Sequence, residues 1–154
     1  MKRFFSLGLI ATVLAALSFT SCSKDEDSGD IVGKWKLVSL KMEIEGGMSM
    51  TFEGEDLAAE TVEFKNDGTS VATIVDEDEA EPQVIKSKYV ISGDVLTTTD
   101  EDGTVEKAKF SVSGNTLVIT MEGYYDMAND VMYEKQPSGA DYPKVSQKLT
   151  FKRM

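Results

Sequence analysis

Glu106–Glu122 reads EKAKFSVSGNTLVITME, two alternating runs on either side of Ser113-Gly114-Asn115. In the first run Ala108, Phe110 and Val112 take one parity, and Lys107, Lys109 and Ser111 the other. In the second, Leu117, Ile119 and Met121 oppose Thr116, Thr120 and Glu122. Successive side chains of a strand point to opposite faces, so each run has one apolar and one solvated face. Gly and Asn tolerate the positive φ of a tight turn, and the whole stretch is a predicted hairpin.

The same unit recurs along the chain. Thr61–Lys65 and Thr69–Asp76 flank Asn66-Asp67-Gly68, and Gln83–Ile91 and Val95–Thr99 flank Ser92-Gly93-Asp94. Glu106 itself follows the turn residues Asp100–Gly103, and Val145–Arg153 closes the chain with Val145, Leu149 and Phe151 on one face. The first run, Gly33–Ile44, changes parity partway: Trp35 and Leu37 share one set, Leu40, Met42 and Ile44 the other. A bulge near Val38–Ser39 would keep all five inward. Eight short strands joined mostly by tight turns predict an all-β fold, an antiparallel eight-stranded up-and-down barrel over residues 31–154. Two segments interrupt the meander. Residues 46–60 include Gly54–Glu60, read as one or two helical turns, and residues 123–144 carry four tyrosines with Pro137, Gly139 and Pro143.

Upstream, a basic start (Lys2, Arg3), an apolar stretch from Phe4 to Leu17 and the small-residue run Ser18–Ser21 end at Cys22, the chain's one cysteine. These are the parts of a secretory signal, and the apolar stretch is short for a membrane span of roughly 20 residues. A small residue before a cysteine resembles the lipobox of bacterial lipoproteins, with Phe19 where an aliphatic residue is usual. That resemblance implies cleavage before Cys22, a diacylglycerol on its sulfur and a fatty acyl group such as palmitate on its new amino group. The alternative is an ordinary secretory signal with an incidental thiol. Ser23–Asp30, SKDEDSGD, is polar and acidic and reads as a tether. The predicted organisation is therefore a signal peptide over 1–21, a lipidated acidic tether over 22–30 and one barrel domain over 31–154. Lys24-Asp25-Glu26-Asp27 also resembles an acidic export tag, which favours the cell-surface side of a bacterial outer membrane over its periplasmic side.

The chain carries a net charge of −11, which becomes −13 once residues 1–21, with Lys2 and Arg3 and no acid, are removed. Such a charge argues against nucleic acid and against a basic patch on anionic headgroups. Membrane contact is expected through the lipid on Cys22. A monomer is expected.

Gly33-x-Trp35 at the head of the first strand resembles the G-x-W signature of lipocalins. The phrases EFKNDGT (63–69), SGNTLVIT (113–120) and LTFKRM (149–154) look like the lipocalin-like domains of bacterial lipoproteins. The resemblance implies that Trp35 closes one end of the barrel with Arg153 across its ring, a structural pair. It also implies a cavity at the other end for a small apolar or amphiphilic ligand.

The chain contains no histidine, which removes Ser-His-Asp and Cys-His catalysis and imidazole metal sites. No nucleophile elbow or phosphate-binding loop is present, and the acidic runs Asp76–Glu81 and Asp100–Asp102 lack the EF-hand spacing. No enzyme activity, metal or cofactor is expected. Tyr124, Tyr125 and Tyr133, with the inward Tyr89 and Phe110, are the candidate ligand or partner contacts, since tyrosine joins a flat apolar face to a hydroxyl. Two functions stay open: a small-molecule binder, or an interaction module whose barrel is filled and whose loops meet a protein or glycan.

Overall fold

The computed structural model describes residues 30–54, 57, 59–75, 81–126, 128–129 and 131–154. The expected signal peptide and all of the expected tether but Asp30 lie outside these residues. Ten strands occur in the described part: β1 Gly33–Ile44, β2 Met48–Glu53, β3 Ala59–Phe64, β4 Thr69–Val75, β5 Gln83–Ser92, β6 Val95–Asp100, β7 Val105–Ser113, β8 Thr116–Asp126, β9 Val131–Tyr133 and β10 Lys144–Arg153.

Eight of them close a barrel. Each neighbour along β1-β3-β4-β5-β6-β7-β8 is antiparallel, and β10 completes the circuit by pairing with both β8 and β1. Closure leaves no open edge in this part of the sheet. The β1–β10 register slips between Leu37 and Ser39, the bulge that the parity change in β1 requires. It turns Trp35, Leu37, Met42 and Ile44 to the buried side together.

The other two strands come from the interrupting segments. Beyond the point where β3 parts from β1, β2 takes its place along Ser39–Ile44; beyond β7, β9 takes the place along Tyr124–Asp126. The long strands β1, β10 and β8 thus run out of the barrel as a sheet flanked by β2 and β9. Residues 48–53 are strand; of the helical turns expected over Gly54–Glu60, one turn hydrogen bond is present, the Leu57 N–H donating to the Gly54 carbonyl at 3.3 Å, and Ala59 and Glu60 already belong to β3. β2 forms where the outer half of β1, Ser39–Ile44, extends past β3 and its backbone groups pair with Met48–Glu53.

Two apolar clusters fill the fold. Ile31, Trp35, Leu37, Val62, Phe64, Leu96, Phe110, Leu117 and Phe151 form the barrel core. Met42, Ile44 and Val145, with Tyr125 and Met132 against them, form a second cluster on the extension. Followed once around the barrel, the pairing returns to β1 about twelve residues further from Trp35, so the strands are strongly tilted. The hairpin turns at 65–68, 92–94 and 113–115 gather at the Trp35 end. Connections after β4, β6 and β8 leave from the opposite, open end.

Candidate functional site

The closed end is a built plug. Trp35 is fully buried, and its indole Nε1 donates to the carbonyl of Ile31 at 2.7 Å. The Arg153 guanidinium lies 4.3 Å from the ring centroid, close enough for a cation–π contact worth about 1 kcal/mol. Its Nη1 and Nη2 donate to the carbonyls of Val32 and Asp30, both at 2.9 Å. Gly33 sits against this arginine at φ 138°, and a Cβ there would fall 2.7 Å from Nη1. The G-x-W pattern therefore has a steric cause: the glycine leaves room for the cation that covers the tryptophan.

Toward the open end the interior changes character. Strand parity turns Glu60 inward beside Val62 and Phe64, and Glu106 inward beside Ala108 and Phe110. Asp100 and Thr98 share the inward parity of Leu96, and the Ser87 hydroxyl donates to Asp100 Oδ1 at 2.6 Å. From β10, Gln147 joins them; it is 1% exposed, lies between Met42 and Met121 in the register, and neither its amide nitrogen nor its oxygen has a partner. The stagger of the strands brings Glu60, Asp100, Glu106 and Gln147 to one level, above the aromatic floor of Trp35, Phe64, Phe110 and Phe151. Burial pushes the Glu60 carboxyl above the usual range. Glu106 is raised first by burial and then by the negative charge of Asp100 and Asp102. Among the inward positions of the barrel strands the one cation is Arg153, at the other end.

The tyrosine-bearing segment divides between two faces. Tyr125 points into the second cluster with Met132. Tyr124 is paired with Tyr133 across β8 and β9, and Tyr133 stacks on Tyr142 at 5.8 Å between centroids and 6° between planes. Asp126 ties the loop: it accepts from the Asn129 side chain at 2.7 Å and from the backbone N–H groups of Ala128 and Asn129. The Asn129 amide, then the Tyr142 hydroxyl, hold its carboxyl below the ordinary aspartate range. Outside the sheet extension, Glu43, Glu45, Glu122, Tyr124, Glu134, Lys144 and Ser146 line an open groove of 590 Å³.

Of the expected contacts, Tyr124 therefore faces the outer groove, Tyr125 packs inward on the extension and Tyr133 stacks in the loop. Phe110 is buried in the core. Tyr89 packs edge-on to Phe64 at 5.1 Å and donates its hydroxyl to the Lys65 carbonyl at 2.8 Å, at the closed end. The structure does not gather these five into one site. Cys22 lies outside the described residues. The inward polar layer was absent from the expectations, although parity could have found it: Gln147 falls in step with Val145, Leu149 and Phe151, and Glu106 with Ala108 and Phe110.

A closed circuit of eight antiparallel strands, plugged by a G-x-W tryptophan under an arginine, is the frame for the comparison with known families. A model described as a lipocalin-like domain covers residues 31–119. The chain belongs to the lipocalin-like domain family. The matched stretch of this lipocalin-like domain includes Trp35, Glu60, Asp100 and Glu106 and stops before Gln147 and Arg153. Among solved structures, a lipocalin-like protein from Bacteroides uniformis is similar at 15% identity, over 82% of this chain and 100% of its own, with a TM-score of 0.49. An uncharacterized protein from Bacteroides eggerthii is similar at 12% identity, over 81% of this chain and 100% of its own, with a TM-score of 0.48. No curated protein matches the sequence.

Proposed function

We propose that this lipocalin-like domain is a non-enzymatic binder of a small amphiphilic ligand, taken up through the open end of the barrel and held at the cell envelope by a lipid on Cys22. The observation that carries the binding part is the layer of Glu60, Asp100, Glu106 and Gln147 above an apolar floor. A buried amide with neither atom paired costs stability, about 1–3 kcal/mol per unsatisfied group, unless something else supplies its hydrogen bonds. A ligand with a polar head supplies them. Native mass spectrometry of the protein purified from its own membranes tests this. A non-covalent adduct released on denaturation is expected; a ligand-free protein would count against it.

Anchoring rests on the tripartite signal ending at the sole cysteine. Cys22→Ser is expected to move the protein from the membrane fraction to the soluble one, and unchanged partitioning would remove the lipid anchor. A second reading, contact with a protein or glycan through the loops, is favoured by the groove beside Tyr124 and the Tyr133–Tyr142 stack. Shortening residues 127–143 separates the two. Loss of ligand with an unchanged thermal transition places binding on the loop, and retained ligand places it in the barrel.

A further inference from the structure

The interior layer also specifies the kind of head group. Three carboxyl side chains and one amide face inward at one level, and no lysine or arginine of the barrel strands faces them. Burying a carboxylate is costly unless it is paired or protonated, and among the described residues Glu60 has no charged partner. A cation would supply that partner. Among the described residues no three acidic side chains converge tightly enough to hold a metal ion. The layer draws its four side chains from four strands, β3, β6, β7 and β10, a spread that suits a larger group donating several hydrogen bonds.

Above the layer, the inner face of the extension is apolar. Met48 stands opposite Ile44 and Met50 opposite Met42 in the β1–β2 register, on the side of the second cluster. Met48 is 60% and Met50 36% exposed. Methionine is flexible and polarizable and adapts to apolar chains of varied shape. Below the layer the barrel is filled by buried aromatic side chains, which directs an alkyl chain away from the floor and toward the open end.

We propose that the ligand is an organic ammonium amphiphile, bound head-down, with its cation at Glu60, Asp100, Glu106 and the Gln147 amide oxygen and its apolar part along the methionine lip. The inference rests on the ligand-binding reading above and adds the charge and direction of the ligand.

The test compares decylamine, decanol and decanoic acid by isothermal titration at neutral pH, using the full chain with Cys22→Ser so that no detergent competes. Decylamine is expected to bind about tenfold more tightly than decanol, the scale of one partly sheltered ion pair, with decanoic acid weakest. In the double variant Glu60→Gln, Glu106→Gln, decylamine should fall to within about twofold of decanol while decanol is unchanged. Both single variants provide intermediate steps, and thermal unfolding checks that each is folded. Equal binding of decylamine and decanol by the wild type overturns the cation assignment and leaves a neutral-ligand binder. An amine preference that survives in the folded double variant also overturns it. Binding of none of the three overturns the ligand-binding reading itself.

Discussion

Gly33, Trp35 and Arg153 act as one unit, although Arg153 is the last residue but one of the sequence. The tryptophan is buried because the guanidinium covers it, and the guanidinium stays because Val32 and Asp30 accept its hydrogen bonds. Gly33→Ala strains a left-handed backbone and pushes Arg153 off the ring. A loss of about 2 kcal/mol is expected in urea denaturation. This trio was legible in the sequence because its spacing resembles a family signature; the reason for the glycine was not, since it depends on contact between opposite ends of the chain. Glu60 and Glu106 show the converse. Glu60 closes the stretch Gly54–Glu60, whose composition suits helical turns, and Glu106 opens a strand whose lysines mark only its solvated face. Both carboxyls are raised by burial. A raised folded pKa means that ionisation opposes folding, so no penalty exists below the unfolded value near 4.3 and it grows as pH rises through the folded value. Glu60→Gln and Glu106→Gln are thus each expected to raise the melting temperature at pH 7 and to leave it nearly unchanged at pH 4. A lower melting temperature at pH 7 would show that the carboxylates are already satisfied by protein groups.

The strands of the barrel were readable because one buried face imposes a period of two and each tight turn carries Gly, Asn or Asp. The extension was not. MSMTFE and VMY are short edge strands, the first with mostly exposed side chains, and they form where β1 and β8 overrun the barrel and offer backbone partners. Gly123 shows how closely β9 is applied. A Cβ there would meet the Tyr133 carbonyl at 2.6 Å and Met132 Cγ at 3.1 Å, and the carbonyl is backbone that cannot turn aside. Gly123→Ala should therefore lift β9 from β8 and release Met132 from the second cluster, with the barrel below intact. Hydrogen exchange is expected to quicken at Val131–Tyr133 and to stay slow in β3–β7. Uniform acceleration everywhere would mean that the extension and barrel unfold as one unit.

The topology places some of the described charges by position. Lys86, Lys88, Lys107, Lys109, Lys148 and Lys152 stand exposed on the outer wall. Strands β4, β6 and β8 all end at the open side, where Glu81, Glu101 and Asp102 stand exposed in the connections and Glu60, Asp100 and Glu106 lie inside. A net charge of −11 says nothing of this arrangement, which depends on the end of the barrel at which each turn lies. A mouth lined by one sign of charge focuses its field on ligands of the other sign and raises their association rate. Salt shortens the reach of that field, from roughly 30 Å at 0.01 M to roughly 3 Å at 1 M. In stopped-flow measurements the association rate of decylamine should thus drop several-fold between about 0.02 and 0.5 M sodium chloride. Decanol, which has no charge to steer, should change little, and dissociation rates should move less than association rates for both. An amine whose rate ignores salt would mean that it does not enter through the acidic mouth, and the open end would lose its standing as the way in.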